Sequence, residues 1–274
     1  MGTSVYVGIL EDGSEVAVKK MLIETCEDAA ENEKEILSLI EAKKSPYIVS
    51  YRLLLKDSIF FYLIADLCEN TLNDHVSSQS IENLKEDGPR MVKEILTGLT
   101  FLHDQRILHR DLKPSNILVD VECHMRLADF GISRVLNEDE TTLYTDAKGT
   151  QGWMSTEVLE AIDRACKCRY KKKSDVQVTG MITFFILTKG EHPFGASHQR
   201  MTNIKEGNPM NLEHLVDLCA RKFVLSLISH DIKDRPYAHE ALRHSFMDKI
   251  KLRDAISMPR IISWDSWLKL KECS

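Results

Sequence analysis

Eight consecutive residues constrain this chain more than any other feature. They are His109-Arg110-Asp111-Leu112-Lys113-Pro114-Ser115-Asn116, with Asp129-Phe130-Gly131 behind them. Asp111 and Asn116 stand five residues apart, and Asp129 follows Asp111 by eighteen. Two short apolar runs, 117–119 and 125–127, lie between. Two carboxylates and an amide held at fixed spacing ask for a folded scaffold around them, and the patterning elsewhere supplies one. The runs 5–10 and 15–19 are β-rich and flank an Asp12-Gly13 turn. A helical pattern follows over 26–43, with Ile36, Leu37, Leu39 and Ile40 on its apolar face. Residues 51–55 and 60–66 read as a second hairpin around Lys56-Asp57-Ser58.

From Leu72 onward helical patterns dominate, at about 90–103, 157–162, 175–187, 212–227 and 238–250, with a polar loop over 137–149. The composition shifts near 68–71. A strand-rich front and a helix-rich back predict an α+β fold of two lobes with a ligand cleft between them. The expected division is 1–68, 69–250 and a tail at 251–274 whose Trp264 and Trp267 pack on the back lobe or stay disordered.

With 43% hydrophobic and 28% charged residues the chain reads as soluble and globular, and its net charge of −6 argues against a broad nucleic-acid-binding surface. Seven cysteines in no regular framework point to a reducing compartment. Cys166 and Cys168 lack a second pair at metal-ligand spacing. The first residues carry no signal-peptide pattern, and Tyr6 breaks a myristoylation match. The most apolar stretch, 181–187, is far too short to span a bilayer. The expectation is a cytoplasmic protein. The basic run Lys171-Lys172-Lys173 reads as a solvated loop.

The motif residues suit one chemistry. Phosphoryl transfer needs a carboxylate to orient the attacking hydroxyl and accept its proton, a role for Asp111. It needs hard oxygen ligands for a divalent cation, which Asn116 and Asp129 supply, and a cation near the transferring group, which Lys113 supplies. Lys19, ending Val16-Ala17-Val18-Lys19, is the candidate phosphate clamp. Its acidic partner belongs on the next helix, where Glu31, Glu33, Glu35 and Glu41 compete. Glu35 is the choice, because it directly precedes Ile36-Leu37 and lies one turn before Leu39.

These residues make the chain resemble eukaryotic protein kinases over nearly its whole length. More narrowly it resembles the inositol-requiring kinase–endoribonuclease family, the unfolded-protein-response sensors. That likeness rests on Asp66-Leu67-Cys68-Glu69-Asn70-Thr71-Leu72, on Gly149-Thr150-Gln151-Gly152-Trp153-Met154 and on Gly190-Glu191-His192-Pro193-Phe194-Gly195. The resemblance implies ATP with Mg as cofactors and transfer to protein Ser or Thr, which Lys113 and Thr150 favour over Tyr. It implies Val5 and Ala17 above the adenine, Leu118 below it, and backbone groups of Asp66 and Cys68 at its edge. Ala65 would be a small gatekeeper opening a back pocket. Leu39, His109 and Phe130 would stack, Glu157 would pair with Arg235, and Asp175 would brace the catalytic loop. The 129–157 stretch would be an activation segment with Thr141, Thr142, Tyr144 and Thr145 as phosphate acceptors, in trans within a homodimer, and Arg110 as a receiver.

Three departures stand out. Of the family's glycine-rich loop only Gly2 is present, so the first strand reads as truncated. The usual Ala-Pro-Glu is Ser155-Thr156-Glu157, and the usual Asp-x-Trp-Ser-x-Gly is Asp175-Val176-Gln177-Val178-Thr179-Gly180. The 28 residues after Phe246 are too few for a ribonuclease domain. Two readings follow: an active Ser/Thr kinase, or a nucleotide-binding, non-catalytic switch or dimerisation module on the same fold.

Overall fold

In the computed structural model, which describes residues 3–41, 44–137 and 140–250, the chain begins with a meander of strands. β1 (Thr3–Ile9) and β2 (Glu15–Leu22) pair antiparallel across a tight turn. Gly13 closes that turn at φ +83°, a conformation that costs a residue without Cβ little. After α1 (Ile23–Glu41), β3 (Tyr51–Lys56) and β4 (Phe60–Asp66) form the second hairpin. Asp57 caps its turn, its Oδ1 accepting from the amides of Ile59 and Phe60 at 2.7 and 2.6 Å. The sheet order is β1-β2-β4-β3, and α1 packs against β2 and β4. Gly2 and the tail at 251–274 lie outside the described residues.

Beyond β5 (Asn70–Thr71) and α2 (Leu72–Ser78) runs α3 (Ile81–Asp104), started by the Ser80 side chain accepting from Asn83 N at 3.1 Å. The pattern suggested a start near 90, after Gly88-Pro89, yet the helix passes through both residues. Pro89 removes one intrahelical donor, but both residues are buried. A Cβ on Gly88 would sit 2.6 Å from Leu187 Cδ2, so the glycine is what allows close approach to the end of a neighbouring helix.

The next segments are short. β6 (Ile107–Leu108) leads into the 109–116 loop, followed by β7 (Ile117–Val119) and β8 (Met125–Leu127), which pair with Ile117 opposite Leu127. β9 (Arg134–Val135) pairs with β6, and β10 (Leu143–Thr145) pairs with β11 (Cys168–Tyr170) beyond α4 (Thr156–Asp163). None of these two- and three-residue strands has a sequence period long enough to read. α5 (Lys172–Leu187) is buried from Ser174 to Leu187, so it shows no polar face. α6 (Ser197–Glu206), α7 (Leu218–Leu227) and α8 (Ala238–Ala241) complete the helical region. The expected helix at 212–227 is broken: 212–214 is a separate 3₁₀ turn, and Asp217 caps α7 through the amides of Cys219 and Ala220. Lys172 and Lys173 open α5 rather than lying in a loop, and all three lysines are half-buried.

Two of the sequence departures meet in space. Thr156 N donates to Gln177 Oε1 at 2.8 Å, and Gln177 Nε2 donates to Thr156 Oγ1 at 2.9 Å. Thr156 Oγ1 in turn donates to Ile204 O at 3.2 Å, joining α4 and α5 to α6. All of this is buried. A proline at 156 would have no N–H to satisfy, so a threonine there brings a donor that needs an acceptor, and Gln177 is that acceptor. The two unusual residues therefore form one unit. Gln177→Leu is expected to cost about 2 kcal/mol in urea denaturation, because it strands a buried N–H. Thr156→Pro, at the first helical position where proline is tolerated, strands the glutamine amide instead. The double variant should cost at least about 1 kcal/mol less than the sum of the singles.

Candidate active site

The 109–116 loop is held from beneath by one carboxylate. Asp175 is fully buried and accepts four hydrogen bonds: from His109 N at 3.1 Å, Arg110 N at 3.0 Å, Tyr170 Oη at 2.6 Å and His103 Nε2 at 3.0 Å. Burial alone would raise its pKa, but the His103 bond, the nearby imidazoles and the Tyr170 bond hold it below the usual carboxylate value. Arg110 sits at φ +70°, an unfavourable backbone for a residue with a Cβ, and the two amide bonds to Asp175 fix it there.

Held this way, the loop presents a tight polar cluster. Asp111 Oδ1 accepts from Thr150 Oγ1 at 2.7 Å. Asp111 Oδ2 accepts from Lys113 Nζ at 2.9 Å and Asn116 Nδ2 at 3.0 Å. Lys113 Nζ also donates to Thr150 Oγ1 at 2.7 Å. Asn116 Nδ2 additionally donates to Asp111 O at 2.9 Å, which fixes the amide nitrogen towards the loop and leaves the amide oxygen as the outward end. The backbone bond from Ala128 N to Asn116 O, 3.0 Å, ties Asp129 to the same loop.

Opposite this floor, Lys19 projects from β2. Its Nζ donates to Glu33 Oε2 and to Asp129 Oδ1, both at 2.9 Å. Burial pulls the lysine pKa down, but the two carboxylates outweigh it and raise the value, so Lys19 stays cationic. The Asp129 carboxyl is pushed up by burial and pulled lower by Lys19, with a net fall. Val5 and Ala17 share the Lys19 face of the sheet, since Val5 lies directly across from Lys19 and Ala17 is two residues away. Ala65 is directly across from Ala17. Leu118, on β7, is half-buried against the core. Asp66 N is engaged by Ser50 O at 2.9 Å, and burial pushes the Cys68 thiol up to about 11. Asp129 and Asn116, two hard oxygen donors on one floor, fit a magnesium ion that keeps most of its ligands as phosphate and water.

The helix is turned differently from the expectation. Glu35 is exposed, and Glu33, 1% exposed, holds Lys19. Leu39 is 45% exposed and is not part of a stack, whereas Leu37 is buried. Both errors are the same two-residue shift, about 200° around a helix. The signal was present in the sequence: Ala30, Glu33, Leu37 and Ile40 repeat at three- and four-residue spacing, placing a glutamate inside the apolar stripe. Glu33 Oε1 also accepts from Tyr51 Oη at 3.1 Å and from Phe130 N at 3.2 Å. Asn32 Nδ2 donates to the carbonyls of Phe130 and Ser133 at 3.0 and 3.1 Å. Tyr51 and Asn32 lie outside every local motif, so only tertiary structure reveals them. Phe130 is fully buried with its ring 5.2 Å from that of His109. Arg235 Nη1 meets both oxygens of Glu157, at 3.2 and 3.1 Å.

Arg110 reaches into the 129–157 stretch: its Nη1 donates to Ile132 O at 3.0 Å, and its Nη2 donates to Thr145 Oγ1 at 3.2 Å and Asp146 O at 3.0 Å. Arg110 Nε is buried without a hydrogen-bond partner among the described residues. Tyr144 points outward, 63% exposed, beside Arg169.

Comparison with known proteins agrees with this geometry. The protein kinase domain family matches residues 2–247. The chain is 31% identical over 259 residues to the serine/threonine-protein kinase/endoribonuclease ire-1 of Caenorhabditis elegans, covering 89% of this chain and 26% of that protein. It is 31% identical over 257 residues to the human serine/threonine-protein kinase/endoribonuclease IRE2, covering 89% and 27%. It is 32% identical over 286 residues to the sensor for unfolded proteins in the ER, ire1, of Schizosaccharomyces pombe, covering 92% and 26%. The chain thus spans about a quarter of the length of these relatives.

The turn of α1 is open to a direct check. Glu33→Gln places an amide nitrogen or an uncharged oxygen against Lys19 in a buried site, and is expected to cost about 3 kcal/mol in urea denaturation. Glu35→Gln should change stability by no more than about 0.5 kcal/mol. Equal effects would contradict the observed rotation.

Proposed function

The chain belongs to the protein kinase domain family, and from that premise we propose that it transfers the γ-phosphoryl group of ATP to Ser or Thr of protein substrates. The observation that carries this reading is the joined cluster of Asp111, Lys113 and Thr150, linked through Asn116 and Ala128 to Asp129 and so to Lys19 and Glu33. A substrate hydroxyl replacing Thr150 at Asp111 Oδ1 would be oriented there and would give up its proton to that carboxylate. Lys113, already on the other oxygen, holds a positive charge beside the path of the phosphoryl group. Lys19, kept cationic and positioned by Glu33, clamps the α- and β-phosphates. Val5, Ala17 and Leu118 bracket the base, with backbone groups of Asp66 and Cys68 at its edge. Asp129 and Asn116 would hold the magnesium, which when bound would supply neutralisation of the phosphate charge.

The activation segment is itself a substrate in this reading, phosphorylated in trans within a homodimer. Thr145 suits a phosphate because its hydroxyl already touches Arg110, whose buried Nε has a donor to spare. The likeness to sensors of unfolded proteins supports a place in that response on the cytoplasmic side. Among the described residues no helix is long and apolar enough to cross a membrane.

Turnover of ATP with Mg by the purified chain is expected to fall by about 10² to 10⁴ in Asp111→Asn. Glu33→Gln should lower kcat/KM for ATP while Glu35→Gln leaves it unchanged. Nucleotide binding with no turnover in the unaltered chain would instead establish the non-catalytic switch.

A further inference from the structure

A cavity of about 570 Å3 lies apart from the Lys19 cleft, between the end of α3, the start of α5, the 232–237 loop with the start of α8, and the first part of the activation segment. Five cations line it: Arg106, Lys171, Lys172, Lys173 and Lys233. Asp104 and Glu140 are its carboxylates. Lys173 is committed, donating to Lys233 O at 3.0 Å and lying 4.7 Å from the Tyr237 ring. Lys171 and Lys172 form no ion pair among the described residues, although both are half-buried. Burial, and secondarily the neighbouring Arg106, lower the Lys172 pKa against the pull of Asp104.

The wall of this cavity includes Thr141, exposed and free of the Arg110 contacts made by Thr145. We propose that the cavity is the seat of a phosphate monoester carried by Thr141, so that the activation segment has two separate phosphate receivers: Arg110 for Thr145, and the Lys171–Lys172 pair for Thr141. The source of the phosphate rests on the kinase reading. Thr141 Oγ1 attacks the γ-phosphorus of ATP and a P–O bond forms there. The bond to the β,γ-bridging oxygen breaks, ADP leaves, and the hydroxyl proton passes to Asp111 of the copy performing the transfer. A phosphate monoester offers three acceptor oxygens and nearly two charges at neutral pH, which matches two ammonium groups without an ion pair among the described residues, with Arg106 alongside.

The seat also reaches the catalytic loop. His103 lines the cavity, and its Nε2 holds Asp175 Oδ2, the oxygen that accepts from His109 N. A phosphate bound here would fasten the start of the activation segment to the element that fixes Asp111.

The test separates the seat from the enzyme. Phosphothreonine is installed at position 141 during synthesis of an Asp111→Asn chain, so no turnover is needed. Its second ionisation is followed by 31P NMR, in the folded chain and in urea at equal ionic strength. The expected result is a folded pKa about one unit below the unfolded value of about 6, equivalent to about tenfold tighter hold on the dianion. The shift should vanish in Lys171→Gln/Lys172→Gln and survive in Lys171→Arg/Lys172→Arg. A phosphothreonine that titrates alike in folded and unfolded chains, or a shift that persists with both lysines neutralised, overturns the proposal. So does inorganic phosphate that binds the unmodified cavity through the two lysines equally well when Thr141 is phosphorylated, since the seat would then be vacant of Thr141.

Discussion

A single buried carboxylate organises the chemistry of this fold. Asp175 has no contact with solvent, and every one of its hydrogen bonds goes to a group that matters elsewhere. Two are backbone amides of the catalytic loop, one of them in a left-handed conformation. A carboxylate in this position is costly to bury and is kept charged by the donors around it. The loop needs the carboxylate to hold its strained backbone, and the carboxylate is kept ionised by the His103 bond, the nearby imidazoles and the Tyr170 hydroxyl. Because Asp175 rides on α5, buried along nearly its whole length, the position of Asp111 is set by the packing of the helical core.

The second fixed point is Glu33, and it explains why the two halves of the site act together. One carboxylate contacts Lys19 on β2, Tyr51 on β3 and the amide of Phe130 beside Asp129. A helix rotated by one residue would lose all three at once. Asn32 next to it grips the following carbonyls, so the helix fixes the start of the activation segment through two neighbouring side chains. Asp129 itself adopts φ +65°, and its bond to Lys19 is one of the interactions that hold it there.

How much of this was legible in the sequence follows from the range of the interactions. That the 109–116 loop and Asp129-Phe130-Gly131 come together was readable because their spacing is local, fixed within one segment. The hairpins of the sheet were readable because alternation and Asp-Gly or Asp-Ser turns are local too. Glu33 was missed although a local pattern contained it: proximity to Ile36-Leu37 was given more weight than the stripe through Ala30, Leu37 and Ile40. The helical start at Ile81 was hidden because Gly88-Pro89 reads as a break until Leu187 is seen packed against Gly88. Tyr51, Asn32 and the cavity at Lys171–Lys172 are assembled from residues far apart in the chain, and no period announces them.

The departures from the family motifs teach the complementary lesson. Taken singly, Thr156 in place of proline and Gln177 in place of tryptophan look like two losses. In the structure each is the reason the other is tolerated, since the N–H that proline would lack is answered by the glutamine oxygen and the threonine hydroxyl by the glutamine nitrogen. The hydroxyl then reaches Ile204, so the exchange adds a polar link to α6 where a proline would make none. A motif letter records one solution to a packing problem. Here the segment that follows Thr150 is anchored by hydrogen bonds between α4, α5 and α6, while Glu157, the next residue, keeps its pair with the buried Arg235. The anchor beneath the Asp111 cluster is therefore rebuilt with different atoms, and the hydrogen bonds that join Asp111, Lys113, Asn116 and Thr150 above it are intact.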